Sequence, residues 1–405
     1  MSAMNQKLDN LIVVLDIGSA WTRVLAADLN EGALRYCGHG CVESAGMRKG
    51  LISDLAPAAK AVKAANEEAE RVARVNIDEC VVGVGGPHIR GLNSNGGIEL
   101  GGRMREIDKE DVRSAVERAR SVERPPDREI LHLLPRQFIL DDQPGIFDPV
   151  GMVGKKLEVD LHIATCSGSA LQSTVTCANR AGLEVTEAVL ESIASAEATL
   201  TADERELGVC LVDIGCHSSD LVVFFEGAVA YTASVPIGGQ HFTNDLAVGL
   251  QIPVAEAEEL KRQYGNAVVT AVPESAEIEI ANPRPLRLRQ RTIAEILEPR
   301  ARELLYFVKE SLRMGGVVEA LGAGCVLTGG GAMLPGMLDI AESQLRVSAR
   351  TGVPVRLSNM PAELVYPAYS TAIGMLLYAH RTRVNRDPEG NNLRSKLRAI
   401  FAASF

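Results

Sequence analysis

Residues 11–29 read LIVVLDIGSAWTRVLAADL. The run LIVVL is continuously apolar, the pattern of a strand buried on both faces. It ends in Asp16-Ile17-Gly18, turns through small polar residues, and resumes a strand pattern from Arg23. Strand, tight turn and strand predict a β-hairpin. Residues 208–225, GVCLVDIGCHSSDLVVFF, repeat the arrangement, with Asp213-Ile214-Gly215 standing where Asp16-Ile17-Gly18 stands. The repeat is far too long for a solenoid and predicts two related domains, each opening with a hairpin. One copy alone reads most simply as scaffold; two copies of Asp-Ile-Gly point to a shared ligand.

A nucleoside triphosphate is the ligand this chemistry suits. Phosphates need many donors close together, and glycine lets backbone amides approach. Gly18 and Gly215 supply that approach, and Ser19, Thr22, Ser218 and Ser219 are expected to add hydroxyl donors. Asp16 and Asp213 repel phosphate, so their expected task is to hold Mg²⁺ through its waters, which the ion gives up reluctantly. A third element, 327–336 (LTGGGAMLPG), follows in the order expected of a phosphate–phosphate–adenosine site. Gly329, Gly330 and Gly331 can lie flat against purine and sugar; an ordinary strand-to-helix turn is the alternative. No GxxxxGK[ST] occurs, which excludes a P-loop enzyme by motif.

Around these turns, helix patterns are expected at 55–75, 169–181, 192–200, 255–264, 293–312 and 367–378. Strands are expected at 77–84, 162–166 and 185–190. Residues 88–161 differ in character: glycine- and asparagine-rich, then an amphipathic helix at 107–121 with Asp108 as its cap, then prolines around short strands. This block reads as an inserted α/β subdomain. Residues 273–292 alternate apolar and polar, as surface strands do, and 384–392 form a polar linker.

The 405 residues are 46% hydrophobic and 23% charged, the composition of a globular chain of several structural units. A net charge of −10 disfavours a nucleic-acid binder. The eight scattered cysteines fit a reduced compartment. Cys37 and Cys41 bracket His39, but no second ligand cluster follows to suggest a metal. The opening residues lack an apolar signal core, and no apolar run is long enough to span a membrane, so a cytosolic protein is expected. In the tail 393–405, Leu393, Leu397, Ile400 and Phe401 share one helical face with Phe405 at its margin, flanked by Arg394, Lys396 and Arg398. That pattern suits a helix lying in an anionic lipid interface; docking on its own domain or a partner is the alternative.

Both hairpins, LTGGG and the segment YSTAIG (369–374) resemble the ATPase signature shared by actin, Hsp70 and sugar kinases. GVGGPHIRGLNSNGGIEL, ASAEATLTADERELGVCLVDIG and RTIAEILEPRARELL are similar to the bacterial FtsA cell-division family. The resemblance runs from about residue 10 to 380, plus the tail. It implies an α/β actin-like fold, two RNase H-like domains around a nucleotide cleft. It gives subdomain 1A at 8–87 and 162–202, an inserted 1C at 88–161 in place of actin 1B, 2A at 203–250 and 320–383, and 2B at 251–319. A C-terminal amphipathic helix follows the linker. It implies ATP and Mg²⁺ as cofactors, Lys261 and Met333 as further nucleotide contacts, and Glu191 as the residue orienting the attacking water. A surface carboxylate at a helix end is the alternative for Glu191. It also implies a polymer on the cytoplasmic face of the plasma membrane at the division site, with other division proteins as partners. Subdomain 2B is expected to grip the C-terminal peptide of FtsZ, with Arg284, Arg287, Arg289 and Arg300 as candidate contacts or as a merely solvated face. The second turn departs from the family's Asp-Ile-Gly-Gly-Gly-Thr: Cys216 and His217 carry Cβ atoms, so strain and at most slow hydrolysis are expected. The competing expectations are a small-molecule kinase and a pilus-assembly homologue of the same fold.

Overall fold

The computed structural model describes residues 10–30, 32–122, 125–280 and 286–386. Each Asp-Ile-Gly segment opens a five-stranded sheet. In the first, Leu11–Ile17 pairs antiparallel with Trp21–Asn30, which pairs with Ala33–Glu43; on its other side Leu11–Ile17 runs parallel to Glu79–Val84, followed by Glu184–Leu190. In the second, Val209–Ile214, Ser219–Phe225 and Ala228–Val235 form the same meander, and Cys325–Thr328 and Ala349–Thr351 extend it in parallel. The strand order is the same in both, so the repeat in the sequence is a repeat of topology. Parallel strands must be covered on both faces, and Ile12, Val14 and Leu15 of the first sheet and Cys210, Leu211 and Val212 of the second are indeed 0% exposed.

Helix Leu55–Ala73 lays an alanine-rich face on the first sheet, burying Ala58, Ala61, Val62, Ala65 and Ala69, and Asp54 caps it by accepting from the Ala56 amide. Helix Glu191–Thr199 is packed on helix Ser370–Arg386, which runs against the first sheet. The second sheet is covered by Gly239–Leu250, the 25-residue helix Gln290–Met314 and Met337–Leu345. Strands Glu277–Ile280 and Leu286–Arg289 pair antiparallel, as the alternation at 273–292 predicts.

The insert has its own four-stranded sheet, in the order Gln143–Ile146, Arg128–Leu140, Lys156–Ser167, Arg90–Glu99. Helix Lys109–Arg120 packs on it through Val112, Ala115, Val116 and Ala119. Asp108 caps that helix as expected: its Oδ1 accepts from the Glu110 and Asp111 amides at 2.9 Å each, and Asp111 returns the bond to the Asp108 amide. Residues 162–166, expected as a separate strand of the main body, are instead the second half of Lys156–Ser167. They stay in the insert sheet because they pair with both neighbouring strands. The sheet also touches the second domain: His162 bonds through Nδ1 to Asn93 Oδ1 (2.5 Å) and through Nε2 to Thr232 Oγ1 (2.9 Å), and Asn93 donates to the Ala230 carbonyl. The C-terminal helix continues to Arg386, through the first residues of the expected linker. Residues 387–405, with Leu393, Arg394, Lys396, Leu397, Arg398, Ile400, Phe401 and Phe405, lie outside the described residues.

Candidate nucleotide cleft

The two Asp-Ile-Gly turns face one another across a cleft of about 910 Å³. A parallel strand puts the residue at its C-terminal end on the sheet rim, where α/β sheets bind ligands. That rule places Asp16 and Asp213 there. Gly18, Ser19, Gly215, Ser218, Gly329, Gly330, Gly331, Lys261, Met333 and Glu191 line the same cleft. Thr22 and Ser219 do not reach it. They pair across their hairpins with the buried Ile17 and Ile214, so the pleat sends all four to the interior. The Thr22 hydroxyl bonds Ser44 Oγ at 2.8 Å, and Ser219 donates to the Ile237 carbonyl at 2.7 Å. Both hydroxyls are thereby engaged within their own halves of the chain.

Cys216 and His217 are not strained. Neither has a positive φ, so the expected glycine-only conformation does not arise. The turn closes with the Gly215 amide donating to the Ser218 carbonyl at 2.9 Å. The first amides of helix Gly239–Leu250, those of Gly239 and Gln240, donate to the Gly215 and Cys216 carbonyls. Lys261 reaches the rim from helix Val254–Tyr264. Its ammonium donates to the Gly239 carbonyl (3.0 Å), Thr243 Oγ1 (2.7 Å) and Glu258 Oε2 (2.6 Å).

Position +7 of each hairpin faces the aspartate across the turn, and this pair was not singled out from the sequence. In the first hairpin it is Arg23, whose Nη1 donates to Asp16 Oδ2 at 3.2 Å. In the second it is Asp220, which accepts from the Gly86 amide at 3.1 Å and so ties the two halves together. Asp213 accepts from Ser195 Oγ (2.5 Å) and Thr371 Oγ1 (3.0 Å). Alignment of the two hairpins would have exposed Arg23 and Asp220; nothing local marks Ser195 or Thr371.

Glu191 starts its helix beside the ends of strand Glu79–Val84. A Cβ on Gly85 would stand 2.0 Å from Glu191 Oε2, so only glycine leaves this carboxylate its place. Gly329, at φ +81°, likewise leaves room for Asp213: a Cβ there would stand 2.3 Å from Oδ1. Asp16, Asp213, Asp220 and Glu191 are thus buried carboxylates of one cleft. Burial raises Asp16, partly offset by Arg23, and raises Asp213 despite its hydroxyl partners. Burial lifts Asp220 to about 6. Burial, then Asp16, Asp220 and Asp213, push Glu191 well above the usual carboxylate range. So much negative charge, so little compensated, suits a cation between the turns. Among the described residues no three His, Cys, Asp or Glu side chains form a direct metal cage.

Of the FtsZ-peptide candidates, Arg284 lies outside the described residues. Arg287 and Arg289 are exposed on strand Leu286–Arg289, opposite Glu279 and Glu277. Arg300 is engaged within the chain: it binds Asp245 at 2.6 and 2.9 Å and also contacts Glu303.

Comparison with known proteins bears on this geometry. A family model described as "SHS2 domain inserted in FTSA" matches residues 86–165, and one described as "Cell division protein FtsA" matches 210–374. The chain is 37% identical to cell division protein FtsA of Pseudomonas aeruginosa over 372 residues, covering 91% of this chain and 89% of the relative. It is 35% identical to the Escherichia coli K12 protein of that name over 390 residues, covering 94% and 92%. The chain belongs to the FtsA cell-division protein family. Among solved structures, the PilM–PilN type IV pilus biogenesis complex matches with a TM-score of 0.65 at 17% identity, over 91% of this chain and 98% of that one. MreB5 of Spiroplasma citri bound to AMPPNP matches with a TM-score of 0.54 at 13% identity, over 93% and 98%. The FtsA fold of this chain is thus actin-like, with an SHS2 insert between the strands of its first half.

Proposed function

We propose that this FtsA-family protein binds ATP with Mg²⁺ in the cleft and, so loaded, polymerises head to tail at the inner face of the plasma membrane. There it tethers FtsZ filaments through the C-terminal FtsZ peptide and helps recruit other division proteins. The observation that carries the reading is the meeting of both Asp-Ile-Gly turns and the triple glycine in one cleft, beside the buried carboxylates Asp16, Asp213, Asp220 and Glu191. Gly18, Ser19, Gly215 and Ser218 would donate to the phosphates. Lys261, Met333 and Gly329–Gly331 would contact the nucleoside, and Asp16 and Asp213 would hold the ion's waters. When bound, the ion would neutralise phosphate charge. Glu191 would accept a hydrogen bond from the attacking water once its carboxyl is ionised. Turnover would be slow, since burial disfavours the ionised form of this base. Subdomain boundaries near 88 and 161 follow the family, with the insert as 1C. The acidic FtsZ peptide would meet Arg287 and Arg289 and would have to displace Asp245 to engage Arg300.

The tail 393–405 supplies the membrane contact in this reading. Each basic residue adds about 1 kcal/mol near an anionic surface, so single tails bind weakly and a row of them on a polymer binds by avidity. The test is electron microscopy on anionic lipid monolayers with Mg–ATP. The full chain forms filaments on the lipid, and a chain ending at residue 392 forms none there. Filaments on the monolayer from the shortened chain, or none from the full one, would refute the reading.

A further inference from the structure

We propose that His132, a residue of the insert, is a positioning residue for Glu191, which lines the cleft, and for Ser195, which donates to Asp213. His132 lies on strand Arg128–Leu140 and is only 7% exposed. Leu190 ends strand Glu184–Leu190, the edge of the first sheet, immediately before the helix that begins with Glu191. Its amide donates to His132 Nε2 at 3.0 Å. Strand pairing serves the other edge of Glu184–Leu190, and Leu190, at the cap position, makes no side-chain capping bond. The imidazole therefore satisfies a buried amide that the sheet leaves over.

A ring that accepts at Nε2 carries its proton on Nδ1. Nδ1 stands 3.5 Å from the Tyr378 hydroxyl, with the two rings edge to face at 5.7 Å. Burial, with Arg381 nearby, holds the imidazole's pKa down to about 4, which keeps the accepting form. Tyr378 and Arg381 belong to helix Ser370–Arg386, and Arg381 pairs with Glu197 of the Glu191 helix at 2.9 Å. The ring thus sits where the insert, the cleft helix and the C-terminal helix meet.

The consequence for the cleft follows from helix geometry. Glu191 is the next residue after Leu190, and Ser195, which donates to Asp213, is one turn further on. A shift of the Leu190 backbone carries both with it, and a displacement of about 1 Å at a reacting group costs on the order of a hundredfold in rate. This catalytic consequence rests on the nucleotide reading above; the hydrogen bond does not.

The test compares H132Q, whose amide oxygen can reach the place of Nε2, with H132N, which is too short. In the full ligand-free chain, hydrogen exchange over residues 184–199 is expected to quicken about tenfold in H132N and to stay within about threefold of wild type in H132Q. Calorimetry with Mg–ATP should give both variants affinities within about threefold of wild type, while single-turnover phosphate release slows about tenfold in H132N and recovers in H132Q. If H132N does not fold, the apolar H132L replaces it with the same expectations. Wild-type exchange and turnover in H132N, or a loss in H132Q as large as in H132N, would overturn the proposal. Absence of nucleotide binding by the wild-type protein would instead sink the proposed function, and the exchange comparison would still decide the hydrogen bond.

Discussion

Glu191 occupies space that Gly85 leaves open, and that contact makes a sharp prediction. Gly85→Ala drives a methyl group into the carboxylate and displaces it. Phosphate release is expected to fall about a hundredfold, with Mg–ATP affinity changed less than about tenfold, as single-turnover kinetics and calorimetry will report. Asp220 makes a second. Its folded pKa of about 6 lies above the ordinary aspartate value, so the folded state holds the proton more tightly than the unfolded one. Its contribution is therefore present below about pH 4 and lost as pH rises toward 6, at about 1.4 kcal/mol per unit. His132 and His162, lowered to about 4 and about 3, act oppositely: below about pH 6.5 the unfolded imidazoles take up protons and stability falls with pH. Comparison with Asp220→Asn isolates the carboxyl. Relative to that variant, wild type should lose roughly 1–3 kcal/mol between pH 4 and 6.5 in urea denaturation. A constant difference would refute the assignment. Asp16, Asp213, Gly18 and Gly215 were legible because the repeat displayed them twice. Thr22 and Ser219 misled because a hydroxyl's residue type does not say which side of the pleat it takes. Glu191 came only through family resemblance, since its place is set by glycines far away in sequence.

At the scale of elements, both hairpins, the capped insert helix and the surface strand pair were legible from periodicity and caps. Two boundaries were not. The strand Lys156–Ser167 stays in the insert sheet past the expected boundary at 161, because its pairing partners, not its composition, decide its sheet. Helix Ser370–Arg386 runs on past the apolar pattern that suggested its end. The expected strain at Cys216 and His217 failed for a local reason: the N-terminus of helix Gly239–Leu250 binds that turn's carbonyls in a conformation open to any residue. The contact between insert and second sheet depends on His162, which is 0% exposed and bonded at both nitrogens. His162→Ala strands Asn93 and Thr232 and should cost about 1–3 kcal/mol in denaturant unfolding. A loss near zero would mean that the insert does not lean on the second domain through this histidine.

For the whole molecule, one duplicated sheet generates the cleft. Two strand ends of the same kind face each other, so each contributes a glycine turn and an aspartate, and the charges of both meet at the centre. Burying them opposes closure even with Arg23 beside Asp16; a magnesium nucleotide between them would favour it. The insert and the C-terminal helix converge on the back of the same cleft through His132, Tyr378 and Arg381. The most direct test is calorimetric titration of the full chain with Mg–ATP, for wild type and Gly329→Val. Wild type should bind one nucleotide per chain. The valine, whose Cβ would meet Asp213 and the Ile214 carbonyl, should abolish the heat. No heat from wild type, or equal heat from both, would contradict the claim that the two turns jointly grasp a nucleotide.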